Sequence, residues 1–254
     1  MASNRAHTRG EPSPLSGAVE QHKRTAARAA AELVEDGMRL GLGTGSTVAH
    51  LLPALAERRL KGVRCVATSP ATEQAALALG LTVLGLDELP QLDLAIDGTD
   101  QIDPDGWLIK GGGGAHTREK IVAAAADRFV VIASAEKVVQ RLLPPLPLEL
   151  LRFGVITTLQ RVAPARLRPR SGSASAPATA GEPATELDEA LVSPDGGLIA
   201  DYRGEITDAA ALASRLSATP GVVDHGLFAP EMVSLMLIAG DESLERRVGS
   251  KPAR

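Results

Sequence analysis

One lysine, a run of glycines and one glutamate stand close together in residues 110–120, whose sequence is KGGGGAHTREK. Glycines let the backbone approach a charged ligand closely, and Lys110 adds a positive charge beside them. Glu119 falls in the first turn of a predicted helix, with Thr117 as its expected N-cap, and the helix dipole favours an ionised carboxylate there. A carboxylate base that faces cations can move a proton while the cations stabilise charge on the substrate. The segment therefore predicts acid–base chemistry.

Two further polar clusters follow short apolar runs. Residues 43–47 read GTGST, and residues 97–100 read DGTD. Glycines and hydroxyls at the start of a helix suit a phosphate group, whereas two carboxylates can accept hydrogen bonds from sugar hydroxyls. The first cluster is not a Walker A motif, since no lysine follows the glycines, and it lacks the full GxGxxG spacing. Together the three clusters predict a small, phosphorylated, hydroxyl-rich ligand.

Three other residue sets near these clusters are weaker candidates. Lys137 follows a predicted strand, so we expect it to bring a positive charge to the same place. His116 has no second histidine or cysteine at ligand spacing, which favours a supporting role in the loop. Asp103 and Asp105 lack the glycine and distal glutamate of an EF-hand loop. We therefore predict no metal site.

Strand-like and helix-like segments alternate along the first half of the chain. Apolar runs predict strands at 38–42, 63–67, 81–84, 92–96 and 129–133, and helices are predicted at 19–35, 48–59, 71–79 and 118–126. This alternation is typical of a Rossmann-like α/β fold, a parallel sheet with helices on both faces. Ligands bind beyond the carboxyl ends of such strands, so we expect all three polar clusters at one edge of the sheet.

The composition of the chain predicts a division into segments. Residues 1–17 are polar and predict a disordered extension, and 18–143 together with 221–254 form the predicted core domain. The proline-rich stretch at 144–147 reads as a hinge into a small α+β domain at 144–220, which would serve as a lid. Residues 166–183, rich in Pro, Ser, Ala, Gly and Arg, predict a flexible loop in that domain.

The bulk composition excludes several classes of protein. Of the 254 residues 44% are hydrophobic but only 2% are aromatic, and the net charge is −4. A general nucleic-acid binder is usually basic and often offers aromatic side chains for stacking, so we predict no nucleic-acid partner. No apolar run is long enough to span a membrane, and no membrane partner is predicted. Cys65, the only cysteine, lies in an apolar run and reads as a buried strand residue of a cytoplasmic protein.

The motifs occur in the order and at close to the spacing of type A ribose-5-phosphate isomerases, and the chain resembles that family over about residues 18–240. The segments that carry the resemblance are GLGTGST at 41–47, DGTD at 97–100, KGGGGAHTREK at 110–120, Lys137, PLE at 147–149 and PGVVDHGLF at 220–228. The resemblance implies a cytoplasmic enzyme without a cofactor, a homodimer or homotetramer. Its reaction would be the interconversion of ribose 5-phosphate and ribulose 5-phosphate in the pentose phosphate pathway.

The resemblance also implies roles for individual residues. Glu119 matches the base that moves a proton between C1 and C2, and Asp97 and Lys110 complete the expected catalytic set. Asp97 and Asp100 match residues that contact sugar oxygens and help to open the ring. The expected substrate-binding residues are Thr44, Gly45, Ser46, Thr47, Asp97, Gly98, Thr99, Asp100, Lys110, Gly111, Gly112, Gly113, Lys137 and, on the phosphate side, Lys23.

Two other functions are compatible with such a sheet. A non-catalytic sensor could bind a sugar phosphate without turning it over, although it would need neither Glu119 nor Lys110. A sugar-phosphate deaminase of similar fold would be expected to carry a different acid–base set. A turnover assay separates the isomerase from the sensor. For the expected assembly, the apolar residues 142–151 are the predicted interface.

Overall fold

A computed structural model describes residues 14–170 and 186–251. Most of the predicted extension at 1–17, and most of the predicted loop at 166–183, lie outside the described residues. The parts that are described correct both predictions. A helix begins at Pro14, inside the expected extension, and a strand ends at Leu167, inside the expected loop. Pro14 suits the first position of a helix, because the backbone N–H that proline lacks would have no helical partner there.

Within the described residues the chain forms six α-helices and fourteen strands. The helices are α1 (Pro14–Ala31), α2 (Ser46–Glu57), α3 (Pro70–Ala78), α4 (His116–Ala125), α5 (Val155–Arg161) and α6 (Ala209–Ser217). The strands are β1 (Arg39–Leu42), β2 (Arg64–Ala67), β3 (Thr82–Val83), β4 (Leu92–Asp97), β5 (Gln101–Ile102), β6 (Leu108–Ile109), β7 (Ala126–Ser134), β8 (Leu146–Leu150), β9 (Ala165–Leu167), β10 (Leu198–Tyr202), β11 (Val222–His225), β12 (Leu227–Phe228), β13 (Leu235–Ala239) and β14 (Leu244–Val248). None of these helices is both long and apolar enough to cross a membrane.

The largest sheet has seven strands in the order β14-β13-β7-β4-β1-β2-β3. All neighbouring pairs are parallel except β13 with β14, which is antiparallel. The prediction of a Rossmann-like parallel sheet is therefore confirmed, with one antiparallel edge strand added. The strand order reverses next to β1, whose neighbours are β2 and β4. Crevices at such a reversal are the usual ligand sites of open α/β sheets.

Apolar side chains on both faces of this sheet explain why its strands are buried. On one face, α1 and α2 pack against the sheet through residues such as Ala26, Leu51 and Leu94. On the other face, α4 packs through Val122 and its neighbours against β4 and β7. Cys65 is a buried residue of β2, as predicted. Covering both faces leaves the strand ends as the part of the sheet that is open to ligands.

The second sheet is antiparallel and has four strands in the order β11-β8-β10-β9. The chain therefore returns to the first sheet later than the expected residue 221, because β11 pairs with β8. In the predicted interface at 142–151, Leu142, Leu146, Leu148 and Leu150 are buried in the core of this sheet, whereas Leu143 and Leu151 are exposed. The interface stays a prediction.

A small third sheet of β12, β6 and β5 lies next to the glycine run. β5 and β6 form a hairpin directly after the DGTD segment, and β12 pairs antiparallel with β6. Lys110, one residue past β6, donates its backbone N–H to the Gly226 carbonyl at 2.9 Å. The third sheet therefore fixes the point at which the glycine run begins.

Candidate active site

A cavity of about 390 Å³ lies beyond the carboxyl ends of β1, β4 and β7. The predicted site residues that line it are Thr44, Gly45, Ser46, Thr47, Gly98, Thr99, Asp100, Lys110, Gly111, Gly112, Gly113, Glu119 and Lys137. The three polar clusters thus meet at one edge of the sheet, as their positions after predicted strands required. Asp97 and Lys23 are the two predicted residues that are not part of the lining.

A buried cluster of one cation and two carboxylates forms the floor of the cavity. The Lys110 ammonium lies 2.8 Å from Asp97 Oδ2 and 3.1 Å from Glu119 Oε2. It also donates a hydrogen bond of 2.6 Å to the Gly98 carbonyl. The three side chains are at most 4% exposed. Asp97 also accepts a hydrogen bond from the Gly98 N–H at 2.7 Å. It does not line the cavity itself, but its partners Lys110 and Gly98 do.

Burial dominates the protonation of this cluster. The pKa of Glu119 is raised to about 8: burial is the largest cause, the charge of Asp97 adds to the rise, and Lys110 offsets only part of it. Burial likewise raises the pKa of Asp97. Burial alone would lower the pKa of Lys110, but the two carboxylates together raise it. The expectation that the helix dipole keeps Glu119 ionised is therefore wrong, and the cluster favours a state in which one carboxyl group holds a proton.

The glycine run needs glycine for two steric reasons. Gly111 has a φ of 101°, and a Cβ built on it would lie 2.7 Å from Nδ1 of His116. His116 is completely buried at this contact, and burial lowers its pKa to about 3, so its ring is neutral. Gly112 donates its N–H to Asp100 Oδ2 at 2.8 Å, which ties the run to the DGTD segment. His116 therefore packs beneath the loop, as a supporting residue would.

The GTGST turn joins β1 to the first turn of α2. A Cβ on Gly43 would lie 1.9 Å from Asp97 Oδ1, so only glycine fits between β1 and β4 here. Thr44 donates its N–H to the same carboxylate oxygen at 3.1 Å. The N-cap of α2 is Gly45, which offers no side-chain acceptor to the first N–H groups of the helix. These groups and the hydroxyls of Ser46 and Thr47 face the cavity, where they can bind an anion.

Comparison with known proteins identifies the family. Residues 64–243 match the model of the family described as ribose 5-phosphate isomerase A (phosphoriboisomerase A). The chain belongs to this family. A ribose-5-phosphate isomerase A from Agrobacterium fabrum is 47% identical over 230 residues, which cover 88% of this chain and 96% of the relative. One from Roseiflexus castenholzii is 46% identical over 233 residues, covering 88% and 93%.

Solved structures of the ribose 5-phosphate isomerase A family share the fold of the chain. The enzyme from Methanocaldococcus jannaschii superposes with a TM-score of 0.78 at 30% identity, over 90% of this chain and 99% of the other. The enzyme from Plasmodium falciparum gives a TM-score of 0.79 at 29% identity, over 90% and 98%. The agreement covers the second sheet as well as the first, which confirms the predicted smaller α+β part of the fold.

Helix α4 starts differently from the sequence prediction. It begins at His116 with Ala115 as its N-cap, so Thr117 is inside the helix and Glu119 is its fourth residue. The Thr117 hydroxyl instead donates to the buried Glu149 carboxylate, which also accepts from Ser193. A buried carboxylate needs hydrogen-bond donors, and Thr117 serves Glu149 in this way instead of capping the helix.

The two outer lysines have different surroundings. Lys137 ends a short 3-10 helix after β7 and lines the cavity, which is where a family member's substrate lysine was expected. Lys23, in α1, forms an ion pair of 2.6 Å with Glu20, which also contacts His50 at 2.8 Å. No contact of Lys23 joins it to the cavity within residues 14–170 and 186–251. Its role in substrate binding stays a prediction.

Four residues that line the cavity were not predicted from the sequence. They are Gln101, Ile109, Pro145 and Pro147. Pro147 belongs to the PLE segment of the family resemblance, and Gln101 follows the DGTD segment directly, so both were within reach of the motifs. Ile109 and Pro145 carry no such signal. Among the residues that the structure describes, no group of three or more His, Cys, Asp or Glu side chains has the arrangement of a metal site.

Proposed function

We propose that this chain interconverts ribose 5-phosphate and ribulose 5-phosphate, with Glu119 as the base that carries the proton. One observation carries the proposal: Glu119 borders the cavity and touches the ammonium of Lys110, 3.1 Å away, while amides and hydroxyls line the same space. Two relatives, at 47% and 46% identity, bear the name of this activity. The reaction belongs to the non-oxidative part of the pentose phosphate pathway.

The proposed reaction is a proton transfer between neighbouring carbons of the open-chain sugar. Ionised Glu119 takes the proton from C2, the C2 electron pair forms the C1–C2 double bond, and the C1 carbonyl oxygen becomes negatively charged. The O2 hydroxyl proton then passes to O1, the O2 electron pair forms the C2 carbonyl, and the electrons of the C1–C2 double bond take the proton back from Glu119 at C1. Lys110 stabilises the enediolate oxygens, since its ammonium already lies beside the base.

Asp97 and Asp100 have separate parts in this proposal. Asp97 holds Lys110 in place from behind, at 2.8 Å, and so acts on the substrate through the lysine. Asp100 lines the cavity and offers a carboxylate to sugar hydroxyls and to the oxygen that is protonated when the ring opens. The first turn of α2, with Ser46 and Thr47, and Lys137 would bind the phosphate.

A ligand seen in a relative indicates the class of inhibitor to use. A D-ribose-5-phosphate isomerase that is 28% identical to this chain, with a TM-score of 0.79, was solved in complex with phospho-erythronic acid. A phosphorylated aldonic acid places two carboxylate oxygens where the enediolate carries its two oxygens. We propose that the cavity of this chain binds the same compound, and that binding competes with ribose 5-phosphate.

The decisive experiment measures ketose formation from ribose 5-phosphate by the purified chain and by Glu119→Gln. Loss of the general base is expected to lower turnover about a hundredfold or more with little change in KM. Glu149→Gln is a matched control, because Glu149 is equally buried but lies outside the cavity lining, and an amide can still serve both of its hydroxyl partners. Turnover should be unchanged when a metal chelator is added. Binding without turnover in the wild-type chain would favour a sensor instead.

We also propose a homodimer or homotetramer, as the family resemblance implies, with a surface that continues the predicted interface at 142–151 beyond Leu151. Phe153 is 94% exposed, and Leu151 and Ile156 beside it are more than half exposed. An exposed apolar group of this size is typical of a protein interface. Light scattering should give a multiple of the 26.3 kDa chain mass, and Phe153→Ser should reduce it.

The proposed compartment is the cytoplasm. Cys65 is a free thiol at complete burial, and the chain has no second cysteine to pair with it. A protein without disulfides suits a reducing compartment. Fractionation of cells followed by detection of the chain with an antibody tests this assignment, and recovery outside the cytoplasmic fraction would contradict it.

A further inference from the structure

Arg168 lies behind the glycine run as a fully buried cation. It follows β9 in the second sheet and is 1% exposed. Its guanidinium forms a two-pronged pair with Asp201 of β10: Nη2 lies 2.5 Å from Oδ1 and Nε lies 3.0 Å from Oδ2. Both prongs of the carboxylate are therefore engaged by one edge of the guanidinium, and this fixes the orientation of the arginine.

The other edge of the same guanidinium holds the glycine run that follows β6 of the third sheet. Nη1 donates to the Gly112 carbonyl at 2.9 Å and to the Gly111 carbonyl at 3.2 Å. The planar fork of an arginine can serve a carboxylate and two carbonyls at once, which the single ammonium of a lysine cannot do with fixed geometry. Arg168 thus connects the second sheet to a loop that lines the cavity.

The two peptide groups that follow Gly111 are oriented by these bonds. The first peptide group, between Gly111 and Gly112, is held at both ends. Arg168 donates a hydrogen bond to its carbonyl, and its N–H donates to Asp100 at 2.8 Å. The second, between Gly112 and Gly113, is trans, so its N–H points away from its carbonyl. Since that carbonyl points at buried Arg168, the Gly113 N–H points toward the cavity that Gly113 lines.

The Gly113 N–H is available for a ligand. It makes no hydrogen bond with any residue in the described ranges 14–170 and 186–251. A run of four glycines has more conformational freedom than any other sequence, so it cannot hold such an N–H in one direction by itself. Donors stabilise a charged intermediate best when they are already oriented before the reaction. The hydrogen bonds from Arg168 to the Gly111 and Gly112 carbonyls, called the clamp below, supply that orientation.

We propose that Arg168, anchored by Asp201, is a positioning residue that turns the Gly112–Gly113 peptide so that the Gly113 N–H donates to a charged oxygen of the substrate. The proposal rests on the isomerase function proposed above for its effect on turnover. Its structural half, the fixed direction of the glycine run, does not depend on that function. Arg168 itself does not line the cavity and touches no reacting atom.

The test removes the clamp without leaving a charge unpaired. In the double variant Arg168→Met/Asp201→Leu, apolar side chains replace a buried ion pair, which proteins often tolerate without loss of stability. We expect a folded protein whose turnover of ribose 5-phosphate falls about tenfold to a hundredfold, because a small misplacement of a donor has an effect of that size. KM should change less than turnover, and phospho-erythronic acid should bind more weakly.

A control removes an Arg–Asp pair elsewhere, whose side chains are 29% and 33% exposed. Arg39 and Asp93 form a two-pronged pair, with Nη2 2.5 Å from Oδ1, at the opposite ends of β1 and β4 from the cavity. Arg39→Met/Asp93→Leu should keep its turnover. Hydrogen exchange of the peptide that contains Gly112 and Gly113 adds a readout without catalysis. Exchange should accelerate in the Arg168 double variant and stay unchanged in the control.

Each outcome decides the proposal. A folded Arg168→Met/Asp201→Leu with wild-type turnover and wild-type exchange would overturn it, and so would an equal loss of turnover in the Arg39 control. If the double variant does not fold, Arg168→Lys decides, because it keeps a cation for Asp201 but loses the fork. It should then show faster exchange of the glycine run and a severalfold loss of turnover, and wild-type values would overturn the proposal. If the wild-type chain has no isomerase activity, the exchange result still tests the clamp.

Discussion

Two buried ionic groups lie on opposite sides of the glycine run, and they differ in their balance of charge. Arg168 faces one carboxylate, Asp201, so the pair is neutral. Lys110 faces two, Asp97 and Glu119, so the cluster would carry one excess negative charge if both carboxyl groups were ionised. A balanced buried pair fixes geometry, whereas an unbalanced cluster keeps one of its members ready to exchange a proton. A buried cation beside carboxylates thus serves to position the glycine run in one group and to carry out chemistry in the other.

The strongest test of this difference removes the cation that both carboxylates share. Lys110→Met leaves Asp97 and Glu119 buried together without a counter-charge, and we expect a loss of about 3–5 kcal/mol in the free energy of unfolding at pH 8. Turnover should be undetectable. Urea unfolding measures the first effect. The loss should shrink as pH is lowered, because burial raises the pKa of both carboxyl groups and protonation removes their charges. A loss that does not depend on pH would contradict this account.

Replacing one carboxylate by an amide should lower stability by different amounts in the two groups. Asp201→Asn leaves Arg168 with no buried counter-charge and should cost about 3 kcal/mol or more. Asp97→Asn leaves Lys110 paired with Glu119, so the variant should lose far less stability. Thermal unfolding of the two variants side by side makes the comparison. Equal losses would show that the charge balance of the two groups is not what distinguishes them.

Glu119→Gln should affect chemistry and leave the fold intact. Its expected hundredfold loss of turnover corresponds to about 2.7 kcal/mol of transition-state stabilisation. The remaining Lys110 and Asp97 form a neutral pair like that of Arg168 and Asp201, so the thermal midpoint should not fall. A calorimetric scan beside the turnover assay checks both statements. A variant that unfolds more easily than the wild type would place Glu119 among the stabilising residues instead.

The pKa of Glu119 gives a prediction for pH with a definite sign. Because its folded pKa, about 8, is raised above the ordinary glutamate value of 4.5, the folded protein binds more protons than the unfolded chain between these values. The free energy of unfolding contributed by Glu119 therefore falls as pH rises from 4.5 to about 8. Glu119→Gln should have a flatter pH dependence over this range. Parallel curves for the two proteins would contradict the raised pKa.

The same pKa predicts the smallest effect, a gradual change of rate with pH. A general base must be ionised, so kcat/KM of the wild type should decline as pH is lowered below about 8. The decline approaches tenfold per pH unit for a single group well below its pKa. Rates measured from pH 6 to pH 9 in one ionic strength give the profile. A flat profile would show that the base is already ionised at pH 6.

The parallel sheet was predictable because its signals are local. Short apolar runs bounded by glycines and polar turns predict each strand from its own residues, and β1, β2, β4 and β7 lie within a few residues of the predicted positions. The convergence of the polar clusters followed from the same pattern. Strand β8 was missed because residues 144–147 are rich in proline. Pro147 nevertheless pairs with Asp201 across the second sheet, where only neighbouring strands supply the reason.

The protonation of the site and its supporting arginine were not predictable from local sequence. The dipole of α4 is a local signal and predicts an ionised Glu119, but burial by distant elements dominates its pKa. Arg168 stands in a stretch whose composition predicts a flexible loop. Its burial depends on Asp201, which lies thirty-three positions later, and on carbonyls of the glycine run. Both features arise from contacts that form only when remote segments meet.

The hydrogen bond from the Lys110 N–H to the Gly226 carbonyl has a consequence for synthesis on the ribosome. A nascent chain that has been synthesised as far as residue 200 already contains Thr44, Asp97 and Glu119. It still lacks Gly226, the hydrogen-bond partner of the Lys110 backbone. Strand β13, the partner of β7, is also still to be made. Enzymatic competence therefore arrives only near the end of translation, and chains truncated before Gly226 are expected to be inert.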